Sequence, residues 1–157
     1  MESRNPKNAS TVLLVRPDSN GRFEILLTRR SFEMEFLGRF YVFPGGRVGR
    51  EDWSEKKQKR CRGLSGAQAQ KILGNHLSAE LSLAHWVAGI RELFEEVEIL
   101  LCVTEAGAEP DMKDEELARR IAEKRKALVS GSLDFSSLLE SEGLYCDAGR
   151  AVYFSHR

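Results

Sequence analysis

The sequence predicts a single globular domain of the mixed α/β (α+β) class, and three observations predict it. The chain has 157 residues, a usual size for one domain with its own core. Its first third contains short apolar runs separated by turn-forming residues, as in paired strands. Its middle carries a long run with the apolar spacing of a helix. We therefore expect residues 1–157 to fold as one domain that combines a sheet with helices.

The predicted strands lie mainly in the first third of the chain. Residues 11–15 and 23–28 are rich in Val, Leu and Ile and flank the turn formers at 17–21, so they predict a β-hairpin. A third run, at 40–43, leads into Pro44, Gly45 and Gly46, where we expect strand pairing to end in a glycine loop. The polar, Lys- and Arg-rich residues 47–63 are typical of a surface segment, and we place an insertion at about 51–80.

The predicted helices occupy the second half. Ser78 is a suitable N-cap for a helix that continues to about Val97. Its apolar stripe consists of Val87, Ile90, Phe94 and Val97. Residues 99–103 then predict a buried strand.

A second helical segment is expected at about 111–141. It opens with acidic residues, and basic residues at 124–126 precede Gly131, the order that a helix dipole favours. The apolar stripe of its first helix, typical of ordinary packing, consists of Leu117, Ile121 and Leu128. A short helix at 135–140 and a strand at 151–154 complete the prediction.

Charge and cysteine content exclude several classes of protein. The 24 Lys and Arg residues balance the 24 Asp and Glu residues, so no global field favours nucleic acid or an anionic membrane as partner. No apolar run reaches the roughly 18 residues of a membrane span. The cysteines Cys61, Cys102 and Cys146 lack the spacing of a disulfide framework or a structural zinc site. We expect a cytoplasmic protein, with an organelle matrix as the alternative.

The residues that indicate chemistry are Arg91-Glu92-Leu93-Phe94-Glu95-Glu96. Side chains three and four positions apart are neighbours on a helix, so Glu92, Glu95 and Glu96 share one side of it. Each pair of like charges costs a few tenths of a kcal/mol, roughly, and acids near a helix C-terminus oppose its dipole. A divalent cation would offset this repulsion, and carboxylates suit Mg²⁺ or Mn²⁺. The alternative is an ordinary glutamate-rich solvated face.

A strand that leads into Phe43-Pro44-Gly45-Gly46, followed by this acidic helix, resembles the Nudix box G-x5-E-x7-R-E-U-x-E-E-x-G-U, in which U is apolar. Gly46 takes the position of the first glycine and Asp52 that of the first glutamate. The second half of the box matches at Arg91, Glu92, Leu93, Glu95, Glu96 and Ile99. Two departures are the long insertion before Arg91 and Glu98, which replaces a glycine where a left-handed C-cap would be strained.

The resemblance implies a Nudix fold, a mixed β-sheet between helices, and hydrolysis of a nucleoside diphosphate linked to another moiety. The long insertion and the segment 26–31 resemble the branch that cleaves coenzyme A and acyl-coenzyme A, although Glu35, Gly38 and Arg39 are out of register with that branch. The implied ligands of Mg²⁺ or Mn²⁺ are Glu92, Glu95, Glu96 and the Gly46 carbonyl. Implied catalytic residues are Glu95 or Glu96 as base and Arg91, which orients a glutamate. Implied substrate contacts are Arg29, Arg30, Arg39, Gly45 and Gly46.

Several alternatives stay open. The chain could be a catalytically silent Nudix-like nucleotide-binding module, or an interaction protein whose charged helices at 81–98 and 111–129 dock a partner. His76 and His85 are a rival metal pair, but their spacing fits no usual ligand motif. Similar chains continue for another strand and a final helix, so we expect either a C-terminal truncation or a homodimer that completes the sheet.

Overall fold

The computed structural model describes residues 7–30, 39–53 and 59–156. The first described part contains the strands β1 (Ala9–Thr11), β2 (Val15–Pro17), β3 (Phe23–Ile25), β4 (Thr28–Arg29), β5 (Tyr41–Val42) and β6 (Gly45–Arg47), then a 3-10 turn at Arg50–Asp52. The rest contains β7 (Cys61–Arg62), α1 (Gly66–Leu73), α2 (Ala79–Val97), β8 (Cys102–Thr104), α3 (Glu115–Val129), α4 (Phe135–Ser141), β9 (Leu144–Asp147) and a 3-10 turn at Ala148–Arg150. The predicted mixed α/β class is confirmed.

The predicted hairpin is present as β2 and β3, which pair antiparallel with Val15 opposite Ile25. Its turn is held by Asp18, whose Oδ1 accepts hydrogen bonds from the backbone N–H groups of Asn20 and Arg22, both at 2.8 Å. The predicted run 11–15 is wrong as one strand, because its first residue belongs to β1 and its last to β2. Likewise, 23–28 divides between β3 and β4, and β4 pairs with β5.

The predicted glycine loop at Gly45 and Gly46 is also wrong, because pairing resumes directly after Pro44. Residues Gly45–Arg47 form β6, antiparallel to β1, with Thr11 opposite Gly45. Gly45 has a φ of +155°, and a Cβ added there would lie 2.3 Å from the carbonyl oxygen of Ser10. The absence of a side chain therefore permits this close pairing of two backbones.

Helix α2 confirms the predicted helix. The Ser78 hydroxyl accepts a hydrogen bond from the Leu81 N–H at 3.2 Å, which caps the N-terminus. Ile90 and Phe94 of the predicted stripe are buried in the core. On another side of the helix, a Cβ added to Gly89 would lie 3.2 Å from Cγ2 of Val12, so α2 closely approaches the chain beside β1. This contact brings the C-terminal half of α2 towards β6.

The three-stranded sheet has the order β7-β9-β8, with β7 parallel and β8 antiparallel to β9. Cys146 of β9 lies between Cys61 and Cys102, opposite both. All three cysteines are free thiols, and burial raises the pKa of Cys102 to about 12. Residues that are far apart in the sequence thus form one row across the sheet.

The segment predicted as an insertion, about 51–80, contains β7 and α1. The Ser65 and Gln68 side chains cap α1 reciprocally, and Ala69 and Leu73 belong to the buried core. The prediction of a surface segment is therefore wrong where it reaches β7, which pairs with β9. Residues 54–58 of this stretch, like Glu35 and Gly38, lie outside the described residues.

The predicted helical segment at about 111–141 contains α3 and α4. Helix α3 begins at Glu115 because Asp114 caps it, whereas Asp111 accepts a hydrogen bond from the Lys113 N–H in a separate turn. Ile121 and Leu128 are buried in the same core as Leu138 of α4. As expected, the apolar stripe of α3 serves internal packing.

Two predicted strands require correction. The strand expected at 99–103 begins only at Cys102. The strand expected at 151–154 is wrong: regular pairing occurs earlier, in β9, where Leu144 and Cys146 alternate into the core. Val152 and Phe154, in contrast, are 90% and 80% exposed and bury no face.

Among the described residues, no helix combines the length and apolar character that a bilayer crossing requires.

Candidate active site at the end of the long helix

Glu92, Glu95 and Glu96 form an acidic patch on the C-terminal half of α2. It lies opposite the buried side chains of Ile90 and Phe94. The side chains of Glu92 and Glu95 are 17% and 21% exposed, so both are largely covered, whereas Glu96 is exposed. Helical geometry therefore brings the three glutamates to one side of α2, at the edge of the core and beside β6.

Arg91 is the centre of the ionic contacts at this site. Its Nη1 donates to Oε1 of Glu92 at 2.8 Å and to Oε1 of Glu95 at 3.0 Å. Its Nη2 donates to the Arg47 carbonyl of β6 at 3.0 Å. Burial alone would lower the pKa of Arg91, but hydrogen bonds and charges from Asp52 and the glutamates raise it above the usual value. The guanidinium thus stays charged and fixes the directions of two carboxylates.

Asp52 is the site residue that the sequence analysis left out of its set. Arg91 Nε donates to Asp52 Oδ1 at 2.9 Å and Nη2 to Oδ2 at 3.1 Å, a bidentate pair. The Asp52 side chain is only 1% exposed, and Oδ2 also accepts from the Gly49 N–H at 2.8 Å. Its position in the Nudix-like pattern was the signal that could have identified it.

Gly45 and Gly46 of β6 lie directly against the glutamates. The Gly45 N–H donates to Oε2 of Glu96 at 3.3 Å. A Cβ added to Gly46 would lie 2.3 Å from the carboxylate carbon of Glu92. The carboxylate of Glu92 therefore occupies the space that any other residue at position 46 would fill.

The electrostatics of this patch oppose full ionisation. Burial raises the pKa of Glu95; the Arg91 hydrogen bond counteracts this, and the charge of Glu92 adds to it. Glu96 is exposed as a residue, but partial desolvation of its carboxylate raises its pKa; the bond from Gly45 counteracts this rise, and the charges of Glu92 and Glu95 reinforce it. Repulsion within the predicted cluster is thus present in the structure, and Arg91 offsets only part of it.

The chain is similar to a solved structure, the crystal structure of a Nudix hydrolase from Alicyclobacillus acidocaldarius, with a TM-score of 0.63 and 25% sequence identity. The alignment covers 94% of this chain and 59% of that one. The fold is a Nudix fold. No protein-family model and no curated protein matches the chain. The similarity supports membership of the Nudix superfamily, and this chain spans little more than half the length of the Nudix hydrolase that it matches.

The three arginines predicted to contact substrate lie in or beside the paired strands β4 and β5 of this Nudix fold. The charge of Arg30 partly counteracts the raised pKa of Glu96, so Arg30 lies within electrostatic range of that carboxylate. The guanidinium of Arg29 lies over the Tyr41 ring, 6.0 Å from its centroid. Arg39 precedes β5 with a left-handed φ of 76°. The substrate-binding roles of Arg29, Arg30 and Arg39 stay predictions.

The Nudix fold implies a divalent cation, and the side chains that could bind it are those of the acidic patch. Among residues 7–30, 39–53 and 59–156, no three His, Cys, Asp or Glu side chains form a group placed to hold a metal ion. Glu92 and Glu95 instead turn one oxygen each towards Arg91, and Glu96 turns one towards Gly45. Three crowded carboxylates beside a glycine strand are still the hard oxygen donors that Mg²⁺ and Mn²⁺ prefer. The residue types fit the cation.

The rival metal pair has contacts of another kind. His85 Nδ1 lies 2.7 Å from the Leu81 carbonyl, one turn earlier on α2. The His76 ring lies 6.1 Å from the ring of His156, near the end of the described chain. His85 therefore contacts its own helix and His76 lies near His156, and neither histidine belongs to the acidic patch.

Proposed function

We propose that this chain is a metal-dependent hydrolase that cleaves the diphosphate of a nucleoside diphosphate linked to another moiety. One observation carries the proposal: Glu92 and Glu96 contact the Gly45–Gly46 strand, and Arg91 holds Glu92 and Glu95 beside them. The Nudix fold agrees with it. An ordinary solvated helix face would require neither the space at Gly46 nor a buried arginine.

Each residue of the acidic patch has a distinct proposed role. Glu92, Glu95 and Glu96, with the Gly46 carbonyl, would hold Mg²⁺ or Mn²⁺. When bound, such a cation supplies positive charge to the diphosphate and acidifies an attacking water. Glu95 or Glu96 takes the proton of that water, and the burial that raises the pKa of both carboxylates favours this. Arg91 orients Glu92 and Glu95.

The proposed substrate is a small nucleotide diphosphate, and coenzyme A or an acyl-coenzyme A is the first candidate. Arg30 lies near Glu96, and guanidinium groups match phosphate oxygens in bidentate fashion. Arg29 and Arg39 are the further candidates for phosphate contacts, together with Gly45 and Gly46. We also propose a cytoplasmic location without nucleic-acid or membrane partners, and a homodimer as the assembly to test.

The direct test is a substrate screen with the purified chain. Coenzyme A, acyl-coenzyme A, dinucleoside polyphosphates, ADP-ribose and NADH would each be incubated with Mg²⁺, with Mn²⁺ and with a chelator. We expect cleavage of one class, coenzyme A compounds first, only when metal is present. Cleavage that persists in the chelator would contradict the proposal.

Two variants connect the activity to the patch. Glu95→Gln and Glu96→Gln keep the size of each side chain but remove a base and a metal ligand, so turnover should fall by at least about 100-fold. Glu123→Gln, on the exposed side of α3, is the matched control and should keep full turnover. A wild-type chain that binds nucleotide and Mn²⁺ without turnover would instead be the silent binding module, which the replacement of the helix-ending glycine by Glu98 favours.

A further inference from the structure

The C-terminal end of α2 is closed by a left-handed residue that is not glycine. The last carbonyl groups of any helix have no partner within it, and they carry the negative end of its dipole. The last turn of α2 contains no basic residue, and it carries Glu95 and Glu96. The chain then leaves the helix through Glu98, which adopts a left-handed conformation with φ 64° and ψ 14° although it is not glycine. The Glu98 N–H donates to the Phe94 carbonyl at 3.1 Å, but this bond does not stabilise the Glu95 carbonyl or offset the strain at Glu98, so we expect support from another element.

Arg125 of α3 provides that support. Its Nε donates to the Phe94 carbonyl at 2.9 Å, and its Nη2 donates to the Glu95 carbonyl at 2.5 Å. Its Nη1 lies 2.8 Å from Oε1 of Glu98. One planar guanidinium thus binds two backbone carbonyls of the last turn and the carboxylate of the left-handed residue, which a lysine ammonium cannot reproduce in the same geometry.

The position of Arg125 on α3 explains why it contacts the end of α2. It lies four residues after Ile121 and three before Leu128, both buried, so it shares their side of the helix. Lys124, one position earlier, pairs with Glu142, and Arg119 pairs with Glu116 and Glu123 on the exposed side. The packing of α3 into the core therefore directs Arg125 onto the end of α2.

We propose that Arg125 is a positioning residue for the acidic patch. It holds the backbone at Phe94 and Glu95, and this sets the direction in which Glu95 and Glu96 leave the helix. In this chain Glu98 stands where the Nudix pattern has a glycine, and Arg125 binds both this residue and the carbonyls before it. The inference rests on the proposed function, because the geometry it protects is that of the metal-binding carboxylates.

The test measures Mn²⁺ binding directly, from the electron paramagnetic resonance signal of free Mn²⁺, beside turnover and melting temperature. Arg125→Gln removes the charge and the fork of donors, and Arg125→Lys keeps the charge alone. We expect both to weaken Mn²⁺ binding, Arg125→Gln by roughly 10- to 100-fold, as for partners that orient metal ligands. Arg119→Gln, on the exposed side of the same helix, is the matched control and should bind Mn²⁺ as the wild type does.

A rescue experiment separates positioning from general stability. Glu98→Gly relieves the left-handed strain and allows a glycine-type helix end. Combined with Arg125→Gln, it should restore Mn²⁺ binding to within about threefold of the wild type, although the packing contribution of Arg125 stays lost. Rescue of the melting temperature without rescue of Mn²⁺ binding would overturn the inference.

The two proposals fail in different ways. If the wild type binds Mn²⁺ and cleaves a diphosphate while Arg125→Gln binds Mn²⁺ equally well, Arg125 is not a positioning residue and the proposed function stands. If Arg119→Gln loses as much affinity as Arg125→Gln, the effect is one of charge in general, and the inference is overturned. If the wild type itself binds no Mn²⁺, both proposals are overturned.

Discussion

Two regions of the protein differ in how they are held together. The N-terminal region consists of the described residues up to 53, and the C-terminal region consists of those from 59 onwards. The buried residues of the core cluster all lie between Ala69 and Ala148. In the N-terminal region the strands are two or three residues long and form two-stranded sheets. Two-stranded pairs bury little and are marginally stable by themselves, and Phe23 and Tyr41 are largely exposed.

The acidic patch lies where these regions meet. The C-terminal region contributes Glu92, Glu95 and Glu96 on a helix packed into the core. The N-terminal region contributes the β6 backbone and Asp52, whose pair with Arg91 crosses between the two regions. The C-terminal region, which contains the buried core, therefore positions the charged groups, and a few contacts bring the less buried N-terminal region against them. Three stability measurements test this view.

The largest effect is expected from Asp52→Ala. This change leaves Arg91 buried without its bidentate partner, and breaking a buried ion pair costs about 3 to 5 kcal/mol. Glu24→Ala is the control, because it removes the exposed pair with Arg16 on the β2–β3 hairpin and should change stability by less than about 1 kcal/mol. Urea unfolding of both variants measures the difference. Equal losses would show that the Arg91 pair does not join the two regions.

The second largest loss of stability is expected from truncating a core side chain, and it can be compared directly between the two regions. Leu138 is fully buried, so Leu138→Ala should cost about 2 to 5 kcal/mol of unfolding free energy. Ile25 is 41% exposed on β3, so Ile25→Ala should cost less than about 1 kcal/mol, since little apolar surface returns to water. Thermal unfolding followed by circular dichroism provides the comparison. A larger loss for Ile25→Ala would mean that the N-terminal region depends on its apolar face.

The smallest effect concerns pH and lies within the C-terminal region. Burial would raise the pKa of Glu142, but hydrogen bonds and charges from Lys124 and Arg120 outweigh it and lower that pKa. A carboxylate with a lowered folded-state pKa contributes stability above its unfolded pKa of about 4.3, and this is lost as pH falls through the lowered folded-state pKa. Glu142→Gln should therefore cost about 1 kcal/mol at neutral pH, the size of one hydrogen bond.

The same variant should also flatten the acid side of the stability curve. The measurement is the unfolding free energy of wild type and Glu142→Gln from neutral pH down to the acid transition. Lys124→Met removes one of the cations that hold the carboxylate, so it should flatten the same range. An acid limb that stays as steep in both variants would contradict the assignment to Glu142.

Local patterns predicted the parts of the structure that depend on near neighbours. The stripe through Ile90 and Phe94 predicted α2, because helical period alone decides which side chains share a face. The same period placed Glu92, Glu95 and Glu96 on one side. Strand ends were predicted less well, since pairing partners lie far away in the chain. Gly45 was predicted as a loop residue because its pairing with β1 cannot be read from its neighbours in the sequence.

The contacts of Asp52 and Arg125 are the clearest examples of what local sequence patterns do not predict. Nothing near Asp52 in the sequence indicates that it meets Arg91, and only its place in the Nudix-like pattern suggested a role. Arg125 carries a weak signal, a basic residue on the apolar stripe between Ile121 and Leu128, but its partner at Phe94 and Glu95 cannot be derived from that. The row of Cys61, Cys146 and Cys102 has no local signal, because strand register creates it.

The order of residues and the helical period are sufficient to predict that one helix carries three glutamates on one side, with a proline and two glycines upstream. Long-range packing places β6 against Glu92 and Glu96, buries Arg91 on Asp52, and brings Arg125 to the end of the helix. These contacts join segments separated by tens of residues, and they form because burial of the core brings those segments together rather than because of any local preference.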